Sequence, residues 1–406
     1  MEFLVESIMS VDLITWLKYL AMWVIGGVLI WLAIKKEMEP ALLLPMGFGC
    51  ILVNIPLSNV LDLANGGYIC TNPECQHTAT EIVTTICVKC GSLMEENVTA
   101  GVIDWLFDVG IHASEAMPIL LFIGIGAMID FGPLLTNPKL FILGGAAQFG
   151  IFLTVVLAVV CGFDIKDAAS IGIIGAADGP TSILVAMKLG SKFVGPIMVV
   201  AYSYMALVPI IQPVVIKCTT TKKERAIKMH YSPKQVSKGI RILFPIIVTV
   251  IAGLIAPSSL ALIGFLMFGN LIRECGVLGT MTDTASNNLA NLITLLLGIT
   301  IASQLRAEEF ISWETLMIIG LGLFAFIFDT IAGIVVAKVM NLFSKEKINP
   351  MIGAAGISAF PMAARTVQKM AIKENPSNHL LMHAIGANVS GQIASAIVGG
   401  LILGLL

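Results

Sequence analysis

The chain has 406 residues, 24 of them Lys or Arg against 26 Asp or Glu, and only 12% are charged, about half the ~25% of a soluble domain. Together with 57% apolar residues and a mean hydropathy of +0.93, that composition excludes an ordinary soluble enzyme and describes an all-α polytopic membrane protein. A net charge of -2 also argues against nucleic acid as a partner, since no concentrated basic face on a soluble module is available to it.

Crossing the hydrocarbon core takes roughly 20 apolar residues. The N-terminal part, 1–61, offers spans at 12–34 and 41–61. Glu2, Glu6 and Asp12 precede the first apolar run, and no A-x-A-like cleavage site follows, so it is expected to be a retained span rather than a signal peptide. A Cys-rich insert, 62–101, contains CTNPEC at 70–75 and CVKCG starting at 87. Cys70, Cys75, Cys87 and Cys90 have the look of a four-thiolate zinc ribbon, with His77 as a spare ligand. Two disulfides or free thiols are the alternatives, and two preceding crossings put the insert outside, where disulfides persist. The zinc reading is kept because a CxxCG turn suits a metal better than a short-loop disulfide. Cys50, Cys161, Cys218 and Cys275 are scattered in or near spans and are expected only to pack.

Residues 102–216 carry spans at 116–131, 139–161 and 193–216, and 242–406 carry spans at about 241–256, 258–273, 288–305, 315–340 and 380–405. Between the two parts lies the loop 217–241, with Lys217, Lys222, Lys223, Arg225, Lys228, Lys234, Lys238 and Arg241 against the single acid Glu224. By the positive-inside rule this loop faces the cytoplasm, as do Lys35 and Lys36, which puts the N-terminus outside. The loop can equally be a topology signal with no partner of its own. Segments 168–188 and 350–366 are apolar but too rich in Gly, Ala and Pro for clean spans. Irregular backbone survives at membrane depth only when protein or a wet cavity lines it, so both are expected to be re-entrant hairpins. The total comes to about ten or eleven spans and two hairpins.

The two broken segments resemble each other. GAADGPTSILVA at 175–186 aligns with GAAGISAFPMAA at 353–364 without a gap, and each is followed by a polar-dotted helix, AYSYMALVPIIQP at 201–213 and HAIGANVSGQIAS at 383–395. Such paired interruptions point to a transporter's binding site; the alternative is chance recurrence of small residues on helix-packing faces.

Acids in apolar surroundings are functional candidates by default, because an ionised carboxylate at membrane depth costs roughly 2.5–3.5 kcal/mol on insertion scales. Asp178 lies inside the first broken segment beside Gly179, Pro180, Thr181 and Ser182, a mixture of one charge and several neutral oxygens that suits a hard cation such as Na⁺. Asp329, within FAFIFDTIAG, is weighed against a helix-end or paired acid. Arg365 ends the second segment and can fork onto a carboxylated substrate, or else snorkel to lipid phosphate. Asn349, Asn388, Ser358 and Ser390 add neutral oxygens around the same elements. Of Tyr202 and Tyr204, only one whose hydroxyl faces a cavity can relay a proton.

IGAADGPTSI at 174–183, AYSYMALVPIIQP at 201–213, FGNLIRECGV at 268–277 and NPMIGAAGISAFPMAARTVQK at 349–369 closely resemble the beta subunit of the sodium-pumping biotin-dependent decarboxylases. The likeness is seen from about residue 102 onward; family members usually have a short connection where 62–101 lies. It implies two inverted repeats in an elevator-like architecture and a homotrimeric core in the cell (inner) membrane. Implied partners are an alpha (carboxyltransferase) subunit, a biotin carrier and a small gamma or delta membrane subunit. The implied activity is decarboxylation of carboxybiotin, consuming a proton and exporting Na⁺. Motif by motif, it implies Asp178, Tyr204 and Arg365 in turnover, with Asp178, Asn349, Gly353, Ser358 and Asn388 at Na⁺ and Arg365 at carboxybiotin. A sodium-coupled carboxylate symporter, needing no biotin, is the competing reading.

Overall fold

The computed structural model describes residues 12–56, 60–72, 75, 78–79, 86–87, 89–229, 236–344 and 346–406; His77 and Lys234 lie outside them. Helix α1, Leu13–Lys36, ends on Lys35 and Lys36, cations favoured by the carbonyl end of a helix. The turn that follows holds Glu37 and Glu39 in the left-handed region, at φ 51° and 38°, and Pro40 opens α2, Pro40–Val53, where its missing N–H costs nothing. The insert then forms a small antiparallel sheet of β1 (Asp62–Cys70), β2 (Thr78–Ala79) and β3 (Met94–Ala100) in the order β2-β1-β3. Its register runs from Asp62↔Ala100 to Cys70↔Met94, and the Gly101 N–H donates to Leu61 O to close its base.

Beyond the insert, among the described residues, every named element is helical. Helix α3, Val102–Phe107, runs on through a π turn to His112 and meets α4, Ala116–Met128, at 66°. One span is α5 (Leu140–Ala146) plus α6 (Phe149–Val160), interrupted at Ala147 and Gln148. The first broken segment is α7 (Ile165–Gly172), a 3₁₀ turn Ile173–Ala176, and α8 (Gly179–Lys188). There follow α9 (Val194–Thr219), α10 (Lys238–Ile255), α11 (Leu260–Cys275), α12 (Ala290–Ile301), α13 (Trp313–Phe343), α14 (Met362–Glu374) and α15 (Leu381–Leu405). Among the described residues eight helices are long and apolar enough to cross a membrane, nine with the bent α3–α4 pair. The expected ten or eleven exceeds this because α2 has only 14 residues and falls short of the span length that its apolar flank, 41–61, suggests.

The ends of the molecule are held by different polar groups. At one end the basic loop is tied down: Arg225 Nε lies 2.8 Å from Glu374 Oε1, Lys338 Nζ 3.0 Å from Glu224 Oε1, and Arg241 Nε 2.6 Å from Glu274 Oε2. Thr221 and Glu224 there form a reciprocal cap on the short helix Lys222–Arg225. At the other end, beside the insert, Arg306 pairs with Asp104 at 3.6 Å and the Tyr19 hydroxyl donates to Glu308 at 2.7 Å.

The two broken segments enter from these opposite ends. In the first, Asp167 Oδ1 accepts from Ser191 Oγ at 2.7 Å and the Lys192 N–H at 3.0 Å, so the segment leaves where it entered, at the insert end. The second starts at Asn349, bound to the basic loop, and leaves through α14, whose Glu374 holds Arg225. Their tips touch: the Ser358 N–H donates to Ala176 O at 2.9 Å.

Candidate functional site

At the first tip the chain stops being a helix for one reason visible in the backbone. Ala177 sits in the left-handed region at φ 52°, a conformation costing an L-residue on the order of 1–2 kcal/mol, and this kink turns Asp178 inward at the start of α8. Asp178 is 3% exposed. Its Oδ2 accepts from Thr181 Oγ1 at 2.6 Å and from Ser395 Oγ at 3.1 Å, while its backbone carbonyl accepts from Ser182 Oγ at 2.9 Å.

Ser395 belongs to α15, and Asn388, Gln392 and Ser395 share one face of that helix at i, i+4 and i+7. The Asn388 amide donates to Ala355 O at 3.2 Å and Ile357 O at 2.6 Å, and the Gln392 amide donates to Ser358 O. Those contacts fix which way each amide points, because the reverse orientation would set oxygen against oxygen. Asn388 Oδ1 and Gln392 Oε1 are left buried with no donor. Buried oxygens that accept nothing cost free energy, and such oxygens near a carboxylate form the donor set a monovalent cation takes. Ser358 completes the junction: its hydroxyl donates to Gly391 O at 2.9 Å. Asp178, Ser358 and Asn388 are thus brought to one place, together with Thr181, Gln392 and Ser395.

The two tyrosines part company. A Cβ added at Gly179 would lie 2.3 Å from Tyr202 Cζ, so the Tyr202 ring lies on the residue next to Asp178, and its buried hydroxyl has no hydrogen-bond partner. Tyr204, two residues on, faces the other way and donates to Ile319 O of α13. Asn349 and Arg365 sit toward the basic-loop end. Asn349 Nδ2 donates to Arg225 O at 2.8 Å and Ile227 O at 2.9 Å, and its Oδ1 accepts from the Met351 N–H at 3.1 Å. Arg365 lies in the first turn of α14 and is exposed. Glu39, in the α1–α2 turn, is pushed up first by burial and held back by the Arg365 charge, so the field of that guanidinium reaches the turn. Gly353 packs backbone on backbone: a Cβ there would meet Gly333 O at 2.0 Å. Ser390 faces away from the junction and donates to Leu140 O at 2.9 Å.

In the insert the four thiol sulfurs of Cys70, Cys75, Cys87 and Cys90 lie within 4.8 Å of one another, with Cys70 beside Cys90 at 3.2 Å and Cys75 beside Cys87 at 3.9 Å. Gly91 takes φ 75° and donates its N–H to Cys87 O at 2.9 Å, the turn that CxxCG makes around a metal. Hydrogen bonds from the Ser92 side chain and backbone hold Cys90 down to about 6, while Cys70 beside it is pushed up to about 12, so within that pair the thiolate character rests on Cys90.

Residues 18–406 match the family described as Na⁺-transporting oxaloacetate decarboxylase beta subunit, so the likeness reaches well ahead of residue 102. The chain is 47% identical to the methylmalonyl-CoA decarboxylase subunit beta of Propionigenium modestum, over 95% of this chain and 94% of the relative. It is 44% identical to the oxaloacetate decarboxylase beta chain of Klebsiella pneumoniae, over 94% of each, and 45% identical to the methylmalonyl-CoA decarboxylase subunit beta of Veillonella parvula, over 94% of this chain and 91% of that one. With a broken-helix junction around one buried acid and a match along nearly its whole length, the chain belongs to the family of Na⁺-transporting decarboxylase beta subunits.

Proposed function

We propose that this chain is the membrane subunit of a biotin-dependent decarboxylase that exports Na⁺: it takes carboxybiotin from a partner, releases CO2, consumes a proton and moves sodium outward. The observation that carries this reading is the meeting of the two broken segments at Asp178, beside the unpartnered oxygens of Asn388 and Gln392. Na⁺ as cargo is held there by Asp178, with neutral oxygens from Thr181, Asn388 and Ser395. Ser358 and Gly353 shape the facing carbonyl turn. Asn349 fixes the root of that turn to the basic loop and tunes the site from a distance.

Arg365, exposed toward the basic-loop end, grips the carboxylate of carboxybiotin through its two-pronged guanidinium. Tyr204 acts through α13, where its hydroxyl is engaged, and Tyr202 is the hydroxyl beside Asp178. Segments entering from opposite ends and meeting at their tips suit two inverted repeats with 168–188 and 350–366 as re-entrant hairpins, working as an elevator against the helices of 1–61 and of the 242–305 stretch. A homotrimeric core, a small gamma or delta subunit, an alpha subunit and a biotin carrier complete the assembly. The acid decarboxylated is chosen by the alpha subunit; the relatives are named for both oxaloacetate and methylmalonyl-CoA.

The four insert cysteines are proposed to hold structural zinc. Tetrahedral Zn–S bonds of about 2.3 Å put sulfurs about 3.8 Å apart, matched by the Cys75–Cys87 pair at 3.9 Å, while Cys70 and Cys90 at 3.2 Å would open by about 0.6 Å to seat the ion. The purified complex, reconstituted in vesicles and given the carboxylated carrier, is expected to release CO2 in a Na⁺-dependent way while loading ²²Na⁺. CO2 release indifferent to Na⁺ would sink the reading. Uptake of the free acid without the carrier would favour the symporter instead.

A further inference from the structure

Asp329 lies midway along α13, 0% exposed, and neither of its carboxylate oxygens accepts a hydrogen bond. Two glycines from different elements make room for it. A Cβ added at Gly150, in the first turn of α6, would lie 2.6 Å from Asp329 Oδ1, and one added at Gly175, in the 3₁₀ turn before Asp178, would lie 2.5 Å from Oδ2. The N–H groups of Gly150 and Ile151 point toward the carboxylate without closing a hydrogen bond to it.

No opposite charge compensates this acid among the described residues. From α6 come Gly150, apolar side chains and, one turn on, the buried and unpartnered hydroxyl of Thr154, which carries no charge; the 3₁₀ turn brings only glycine and apolar side chains, and α9 brings Tyr204 and Gln212, with Lys217 at its far, basic-loop end. Lys166 and Asp167 of α7 sit at the insert end, and Asp167 is engaged by Ser191. Lys338 of α13 itself is taken by Glu224 and Thr219 O. Asp178, three residues after Gly175, faces Ser395 of α15. An ionised carboxylate in such a place costs several kcal/mol, opposed only by the two backbone N–H groups of Gly150 and Ile151. A metal ion is badly served, because the groups pressed against the carboxylate are N–H and C–H, and the single Thr154 hydroxyl on that face of α6 falls far short of an oxygen cage. A proton needs only one oxygen lone pair and no other ligand.

We propose that Asp329 is a proton-binding site distinct from the Na⁺ site at Asp178: a neutral carboxylic acid sealed by Gly175, whose proton exchanges with water when the first hairpin draws away from α13. When the O–H bond breaks, the proton goes to that water and the carboxylate keeps the electron pair. The waiting N–H groups of Gly150 and Ile151, at a helix N-terminus, then close on the anion. The use made of this proton rests on the pump reading; its presence does not.

The test is infrared spectroscopy of the purified complex in H2O and in D2O. The wild type should show a protonated carboxylic acid C=O band that shifts on deuteration, is lost in Asp329→Asn and survives in Asp178→Asn. A wild type without the band, or a band lost only in Asp178→Asn, would overturn the assignment. Asp329→Asn has the shape of the neutral acid. It should assemble and keep the Na⁺-dependent rise in Tm, with turnover reduced about 100-fold or more, the scale of a lost proton-transfer group. Unchanged turnover would overturn proton exchange at this site. If the Asn variant fails to assemble, Asp329→Glu decides: a displaced carboxyl band supports the site and an unmoved one refutes it. Failure of the pump reading would show instead as Na⁺-independent CO2 release by the wild type, with the band still present.

Discussion

The tips of the two broken segments begin with the same three residues and then diverge. Position four is Asp178 in the first and Gly356 in the second. Around Asp178 the neighbours are hydroxyls; around Gly356 there is no space, since a Cβ there would lie 2.6 Å from Leu143 O, and one at Gly391 would lie 2.0 Å from Gly356 O. One broken segment therefore carries the charge, and the other supplies backbone carbonyls pressed against α15. A site with a single buried charge can be made neutral by a single monovalent cation, which keeps the electrostatic cost of moving it small. Two acids, one per tip, would demand two cations at once.

That asymmetry breaks most completely at the charge. Asp178→Asn is expected to lower Na⁺-dependent CO2 release by about 100-fold or more, worth about 2.7 kcal/mol or more in the transition state, with assembly on a sizing column unchanged. Next comes the crowded tip: Gly356→Ala should cost about 1–3 kcal/mol through overpacking, seen as a fall in Tm of the detergent-solubilised protein. No fall would mean the second tip tolerates a side chain and the contrast is superficial. Arg365→Lys should raise the KM for the carboxylated carrier about tenfold, since the point charge remains but the two-pronged grip is lost. Equal losses in Na⁺ binding would make Arg365 structural.

The tyrosines sharpen the contrast on a smaller scale. Tyr204→Phe removes a hydrogen bond to Ile319 O and should cost about 1 kcal/mol of stability. Tyr202→Phe removes a hydroxyl that bonds nothing and should leave Tm unchanged while altering the Na⁺ dependence of turnover. Smallest of all for the chemistry, Cys87→Ser should lose the one zinc per chain and destabilise the insert, leaving Na⁺ dependence intact. Metal analysis that finds no zinc in the wild type would remove the metal from the insert.

What the sequence discloses of this site follows from what burial forces on composition. Asp178 is legible because a charge in an apolar, Gly- and Pro-broken segment has few cheap explanations, and the paired GAA starts disclose the junction's two sides. Ser395 and Gln392 were within reach as well, since 388, 392 and 395 repeat at helical spacing on the polar helix. Which of Tyr202 and Tyr204 turns toward Asp178 was not legible: residues two apart point some 200° apart around a helix, and the sequence carries no mark of the helix's rotation. Asn349 looks like a ligand by type and motif, yet both ends of its amide are spent on loop carbonyls and a turn N–H, a use set entirely by long-range packing. The expected span count differs from the number of long helices for a related reason, because apolar run length does not show where α2 stops.

Helix α2, at 14 residues, measures about 21 Å at 1.5 Å per residue, against a hydrocarbon layer of about 30 Å. Its C-terminal neighbour Asn54 is locked by hydrogen bonds to Leu305 O and from the Ala307 N–H, at 2.7 and 2.8 Å, so the helix cannot lengthen by recruiting the residues that follow. Leu44 and Phe48 remain exposed along it. Where lipid meets this flank, the mismatch is worth a fraction of a kcal/mol for each ångström, so bilayers of short acyl chains are expected to raise the Tm of the reconstituted protein over long-chain ones, and equal Tm values would show that lipid does not meet α2.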